Sequence, residues 1–539
     1  MRTCISPDQG FIYGIHKPSY SVRNLRSRTQ IEKLGCNPDG SDVLNTINYP
    51  ENSVKVEQAD WIYEIANPFP FRGTTYIGKT WADRNAENPD RIKLQENPAV
   101  SLHKTLRSQH IDPGLLEELP QPLLLSLATT STDRDDLIRL AETCCSFEND
   151  EKGIPTGLRY QQMPDGKCRP EISDFDLFEA VANNPVLPDS YKIAMVIRPG
   201  AQGISEIVGD FHQSQSTHVY EYLRRNSYIG GGHYAANMAD DSIRYQIKNL
   251  SVNDIRGLRH LYYQRSYVRL AEFLHIEIGS PPFSDDALED LRTIVCGHPE
   301  YKTSDMAATL WGWNFGFDFA SSGYRLHASH QQIHQQYAMI PSQIEAFAEG
   351  FSDSLGQITS FSSGDMIHEV IETYRLQYNR SFFHDYFQAI GNNTRMDGRD
   401  DRSDDLVVWQ NERVLLFVPK AQTSQWELQI ITKPDENGDF AGNIVECDTA
   451  LRTSLDIAIL KAQQALEARG ATMVTTIEYS KRFSSLEKHH PLIYCFMPKL
   501  PHSPGAFSET QLRFINGHYP EDFAEACRHS LAQYETNIR

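Results

Sequence analysis

The sequence predicts an α+β chain with antiparallel sheets, in which a unit of strand, helix and two further strands occurs twice. Three observations carry that expectation. The order of apolar runs and amphipathic patterns over residues 191–345 returns from residue 362 onward. The segment "VIRPGAQ" of the first series is echoed by "FVPKAQ" in the second. The last two extended segments of the first series meet at "SSG", a hairpin signal and not a crossover.

Taken in order, residues 1–60 are rich in turn formers and polar groups and are expected as an irregular arm. The first half, residues 61–350, opens with "WIYEIANPFPFRGTTYIGKT": a strand, a proline-marked turn and a second extended piece. Residues 84–185 alternate short helical patterns with loops. "YKIAMVIRPGAQG" (191–203) reads as an apolar strand stopped by Pro199 and Gly200. A start signal at Ser251 or Asn253 leads into a helix with Ile255, Leu258, Leu261 and Tyr262 on its apolar stripe.

The second half, residues 362–539, begins with the helical pattern "DMIHEVIETYRLQYNRSFFHDYFQAIG". The acidic loop 397–405 is expected to be a solvated connection. One strand, "LVVWQNERVLLFVPKAQ", follows. Asp448 then caps a helix that Gly470 stops, and "TMVTTIEYS" and "PLIYCFMPKL" are strands. The adjacent His489 and His490 are expected to point to opposite sides of an extended segment, which disfavours a paired metal-ligand role.

Composition narrows the function. The 539 residues are 40% hydrophobic and 23% charged, enough for a soluble chain with a large core. Lys and Arg number 51 against 71 Asp and Glu, a formal charge of −20 that repels polyanions, so nucleic acid is not an expected partner. No uninterrupted apolar stretch approaches the ~18 residues of a membrane span, and "MRTCISPDQGFIYGIHKP" holds no signal core. The nine cysteines include an adjacent pair, Cys144 and Cys145, but no CxxC, which suits free thiols in the cytoplasm. The Gly-rich "YIGGGHYAAN" (228–237) has no following GK[ST], so it reads as a loop over a site and not as a P-loop.

The richest chemistry lies in "SGYRLHASHQQIHQQYAMIP", residues Ser322 to Pro341, with three histidines and four glutamines. In a strand, His330, Gln332, His334 and Gln336 share one face, a row of neutral hydrogen-bonding groups suited to a polar ligand. Attack on phosphorus needs a nucleophile that is unprotonated near neutrality and later leaves; imidazole, with an ordinary pKa of ~6.5, does both. A glutamine two residues on can donate to a non-bridging oxygen as charge redistributes. No carboxylate stands in residues 322–341 to oppose a phosphate.

An asparagine-bearing strand, a Gly-rich turn and "SHQQIHQQ" (Ser329 to Gln336) together resemble the histidine-triad superfamily. The closest likeness is to its duplicated branch of galactose-1-phosphate uridylyltransferases and dinucleoside polyphosphate phosphorylases. The resemblance covers residues 185–345 and 362–530 and implies two fused halves of this kind, the first catalytic and the second degenerate. It implies His334 as nucleophile, Gln336 as its catalytic partner on phosphate, and Ser329 and Asn314 as substrate-binding residues. His330 and Gln332 line the same face, with Gln332 at the place of the first triad histidine. Phe71 and Arg72 fall near the nucleotide base, and "RFINGHYPEDFAEACR" (513–528) suggests Arg513, Phe514, Asn516, Tyr519 and Glu521 as lining residues.

The chain departs from the uridylyltransferase pattern in lacking CxxC, in placing Ile493 and Cys495 where an HxH stands in the second half, and in placing Cys527 where a sugar-contacting glutamine stands. No resident metal or cofactor is therefore expected; Mg2+ enters only as a companion of the substrate. The implied activity is nucleotidyl transfer or phosphorolysis of a nucleotide linked to phosphate or sugar phosphate, through a nucleotidyl-histidine. A homodimer is compatible with this reading. Two alternatives stay open: a nucleotide sensor without turnover, and a metal-dependent hydrolase using His327, His330 and His334.

Overall fold

The computed structural model describes residues 3–18, 21–22, 31–48, 54–55, 59–69, 73–95, 98–164, 168–182, 186–196, 250–279, 283–303, 305–316, 334–347, 354–500 and 510–538, with 166, 184 and 508. Strands β1 (Gly14–His16), β2 (Ile62–Ala66) and β3 (Thr74–Gly78) open the chain, and helix α1 spans Asp189–Val196. Helix α2 (Val252–Phe273) precedes β4 (Met306–Gly316) and β5 (His334–Pro341). Helices α3 (Ser363–Tyr378) and α4 (Phe382–Gly391) lead to β6 (Val407–Gln410), β7 (Val414–Phe417) and β8 (Leu428–Thr432). Helix α5 (Thr449–Glu467), β9 (Met473–Tyr479), β10 (Ile493–Pro498), β11 (Arg513–Asn516) and α6 (Pro520–Ile538) complete the set. The fold is α+β.

One seven-stranded sheet, ordered β5-β4-β9-β10-β8-β7-β6, is antiparallel throughout. It takes two strands from residues 306–341 and five from residues 407–498, so it spans both expected halves. Alternation along each strand gives the sheet two apolar faces. Trp311, Trp313, Leu416, Leu428, Ile430, Tyr494 and Phe496 share one core with α2, α5 and α6. Phe417, Ile431, Tyr479, Ile493 and Cys495 share another with α3, α4 and the inner residues of β2 and β3. A smaller core joins helices within residues 100–196.

Local signals explain most elements. Ser251 and Asp254 form a reciprocal capping box at the start of α2, and the Asp448 carboxylate accepts from Leu451 N–H at the start of α5. Gly470, at φ 96°, turns the chain after α5. The single helical pattern 365–391 is broken in two by Asn379, whose φ of 53° ends α3 in the left-handed conformation.

Several expectations are corrected. Residues 191–196 are helical because Ala194 and Met195 face the small core together, a helical spacing that the β-branched residues obscure. The remainder of that segment, with the echo of "FVPKAQ" and the Gly-rich loop, lies outside the described residues. "LVVWQNERVLLFVPKAQ" is two strands, because Asn411 Oδ1 accepts from the backbone of Arg413 and Val414 and closes a turn. His489 and His490 precede β10 instead of lying on it. Where an arm is expected, Cys4 and Ile5 are buried in the second core and β1 pairs with β2.

The acidic loop is also anchored. The Arg395 guanidinium, itself buried, bridges Asp397 at 2.8 Å and Asp522 at 2.7 Å; burial raises the Asp397 carboxyl, but Arg395 and Arg399 outweigh it and hold that carboxyl below the usual carboxylate range. Beside it, the buried ammonium of Lys420 is paired with the buried carboxylate of Glu521. A second sheet, β1-β2-β3-β11, closes with a parallel pair in which Arg513–Asn516 run along Thr74–Ile77.

Candidate active site

The β4–β5 register sets the site. Asn314 is the Cα partner of His334 and Gly312 that of Gln336, so these positions share one face of the sheet. The intervening Gln335 belongs to the other face. Its Oε1 accepts from Trp311 Nε1 at 2.8 Å and its Nε2 donates to the Leu258 carbonyl of α2 at 3.4 Å. A slip of one residue would break both bonds and reverse every position on the strand, so one glutamine of the run fixes the placement of its neighbours. Gln336 is exposed.

The polar character continues across the sheet. Asn314 pairs in turn with Thr475 of β9, whose hydroxyl donates to Asn314 Oδ1 at 2.7 Å. Thr475 is opposite Met497 of β10, and Met497 Sδ accepts from the Thr423 hydroxyl at 3.9 Å. The single Thr423 hydroxyl proton has Glu427 Oε2, at 2.8 Å, as its alternative and nearer acceptor, and the Thr423 backbone N–H donates to the same oxygen, while Gln429 Nε2 donates to Glu427 Oε1 at 2.7 Å. Burial raises the Glu427 carboxyl above its ordinary range, against the opposing effect of these hydrogen bonds.

Next to Thr423, the Gln422 carbonyl accepts from the Thr75 hydroxyl at 2.7 Å, and Gln422 Oε1 lies 3.4 Å from His518 Nε2. Burial lowers His518 to about 3, so its ring is neutral at neutral pH. Two residues earlier, Asn516 is fully buried with neither amide atom hydrogen-bonded among the described residues, as is Gln422 Nε2. Buried amides ordinarily find partners, so this end of the strip holds unused donors and an acceptor. These contacts link the His334 position to His518 through Asn314, Thr475, Met497, Thr423 and Gln422, and Asn516 stands two residues before His518.

Of the residues expected from sequence, His334, Gln336, Asn314 and Asn516 lie along this strip. Phe514 and Asn516 face inward from β11, whereas Arg513 is exposed, its guanidinium 4.8 Å from the centre of the Tyr76 ring. Tyr519 donates to Asp83 Oδ1 at 2.8 Å, and Glu521 is engaged by Lys420 and Asn393. Ser329, His330 and Gln332, with His327, lie outside the described residues, as do Phe71 and Arg72. Their neighbour Asn67 donates to the Ala421 carbonyl at 3.2 Å, which brings the "NPFPF" turn beside the strip. Sequence reasoning missed Thr475, Met497, Gln422, Thr423, Glu427, Gln429 and His518. The one available signal was the polar run "QTSQWELQ" amid apolar strands.

Among the described residues no group of three or more His, Cys, Asp or Glu side chains is placed to hold a metal ion. The expectation of Mg2+ only with substrate concerns a group that these side chains do not test. No helix of the described residues is long and apolar enough to cross a membrane.

No family model matches the sequence, and no curated protein matches it. Solved structures do. The chain is similar in part to uridylyltransferases. A uridylyltransferase mutant aligns at 13% identity with a TM-score of 0.33, over 53% of this chain and 74% of that one. A GalT-like protein from Arabidopsis thaliana aligns at 12% identity with a TM-score of 0.34, over 53% and 71%. An ADP-glucose phosphorylase from Arabidopsis thaliana with bound ADP-glucose aligns at 12% identity with a TM-score of 0.33, over 53% and 69%.

Proposed function

We propose that this chain is a nucleotidyltransferase or phosphorylase acting on a nucleotide linked to phosphate or sugar phosphate. One observation carries the reading: the β4–β5 register sets His334 opposite Asn314, with Gln336 on the same face and Thr475 holding the asparagine amide. His334 attacks the α-phosphorus in line, and the phosphate or sugar-phosphate leaving group departs with the bonding pair. The resulting nucleotidyl-histidine is resolved by phosphate, a sugar phosphate or water, which restores the imidazole.

Asn314 Oδ1 is occupied by the Thr475 hydroxyl, which orients Nδ2 as the donor available to a phosphoryl oxygen. Gln336 supplies a second donor, and Ser329, His330 and Gln332 complete the row. Phe71 and Arg72 meet the base, and Phe514 and Asn516 close the distal end. Residues 61–350 form the catalytic half and residues 362–539 the degenerate one, acting in the cytoplasm with Mg2+ only as the substrate's companion.

The test is incubation with nucleoside diphosphate sugars and dinucleoside polyphosphates labelled at the α-phosphate, with and without inorganic phosphate. Wild type should release nucleotide in a phosphate-dependent manner and retain an acid-labile label. His334→Ala should do neither, His334→Gly should regain release with added imidazole, and Gln336→Ala should lose about 10²-fold in kcat. Turnover at the wild-type rate by His334→Ala would overturn the proposal.

A further inference from the structure

The far end of the same sheet carries a lysine with an unusual set of partners. Lys433 follows β8, and its Nζ donates to Gln410 Oε1 at 2.6 Å and to the Asn411 carbonyl at 2.7 Å. Both acceptors are neutral, and no carboxylate lies within ion-pair distance of Nζ among the described residues. Its neighbours differ: Arg413 is paired with Asp448, Lys481 with Glu446 and Lys488 with Asp439. A neutral amine has two N–H donors and one lone pair, so two neutral acceptors satisfy it and leave the lone pair free. Partial burial without an anion lowers the Lys433 pKa from the ordinary lysine value, in agreement with that geometry.

Lys433 also has room in front of it. It lines two adjoining cavities, of about 950 and 400 Å³, and is shared by both together with Glu412 and Pro434. The smaller one has apolar walls from Phe387 and Pro434 and amide donors from Gln9 and Gln388. None of the residues around these cavities belongs to the strip that ends at His334.

We infer that Lys433 is a carbonyl-reactive amine, and that this cleft takes a small polar aldehyde such as an open-chain sugar aldehyde. The Nζ lone pair forms a bond to the carbonyl carbon while the C=O π pair moves to oxygen, and a proton passes from nitrogen to that oxygen to give a carbinolamine. The nitrogen lone pair then expels the protonated hydroxyl as water, leaving a protonated imine. Water in the cleft relays the proton, and Glu412, which lines both cavities with Lys433, is the carboxylate assigned to that relay. No oxidant or reductant is consumed.

The test is competitive labelling of the whole folded chain with substoichiometric D-glyceraldehyde and cyanoborohydride, the borohydride serving only to trap the imine, with peptide mass mapping over time. Lys433 should be labelled roughly tenfold faster than the exposed Lys152 or the ion-paired Lys488, and the preference should vanish in urea. Lys433→Met should remove that fast phase, while His334→Gly should keep it, so failure here is separable from failure of the nucleotidyl-transfer reading. Labelling of Lys433 no faster than Lys152 in the folded protein would overturn the inference.

Discussion

Lys420→Met removes the cation from a pair in which both side chains are fully buried. In the native chain the ammonium also donates to Asn393 Oδ1 at 2.7 Å and the Thr394 carbonyl at 2.9 Å. After the substitution the Glu521 carboxylate keeps one donor, Asn393 Nδ2 at 2.9 Å, while its Oε2 has no hydrogen-bond partner among the described residues. Breaking a buried pair from one side costs about 3–5 kcal/mol, because the remaining charge stays out of water. Glu521→Leu should cost a similar amount for the mirror-image reason. Replacing both should be far milder, about 1–2 kcal/mol, since apolar residues of similar size substitute well for buried pairs. The assay is urea unfolding of wild type, both single variants and the double, followed by two optical probes. A coupling of about 4–9 kcal/mol, centred near 6, is expected from these costs. A double variant equal to the sum of the singles within about 0.5 kcal/mol would refute the pairing. The same series tests Glu521 as a support, since Glu521→Leu should lower stability without raising KM.

Two further outcomes follow from burial. Burial holds His518 at about 3 and His490 well below its ordinary value, so the unfolded chain binds protons there that the folded chain refuses. Their contribution is complete above pH ~6.5 and falls by ~1.4 kcal/mol per pH unit for each as pH drops toward the folded values. Asp456, raised to about 7 by burial, acts with the opposite sign, so the histidine effect is read as a difference. Unfolding of wild type and His518→Gln between pH 7 and 4.5 should show a shallower loss in the variant, and equal slopes would contradict the assignment. Gly364→Ala should destabilise by about 3 kcal/mol in the same urea assay, because a Cβ there would overlap the Ser480 carbonyl where α3 meets the end of β9; a change under ~0.5 kcal/mol would show that the contact yields.

Much of the fold was legible because periodicity and caps act locally. Ser251, Asp448 and Gly470 mark helix ends by chemistry that needs no tertiary partner, and β2, β3, β9 and β10 stand where apolar runs fall between turn residues. The segment at 191–196 was misread because a short apolar run with Ile193 and Val196 suits either state, and only the packing of Ala194 and Met195 decides. At the site, the residue types of one strand were legible but their neighbours were not. Thr475 and Thr423 stand 52 residues apart in number and meet on either side of Met497 only through the pairing of β9 with β10. The anchor at the start of the otherwise largely exposed acidic loop was hidden for the same reason, since Arg395 finds Asp522 127 positions away.

The parallel pairing of β3 with β11 has a consequence in time. Residues 74–77 cannot complete their sheet until residues 513–516 exist, and β4 likewise waits for β9. During synthesis the strands of the first few hundred residues therefore leave the ribosome with unsatisfied edges, and late segments supply the closing partners. Such distant pairings demand costly loop closure and slow the final step, with exposed edges open to association until it is made. Chains arrested shortly before residue 513 should consequently collect as aggregates, whereas those released after α6 reach the closed sheet.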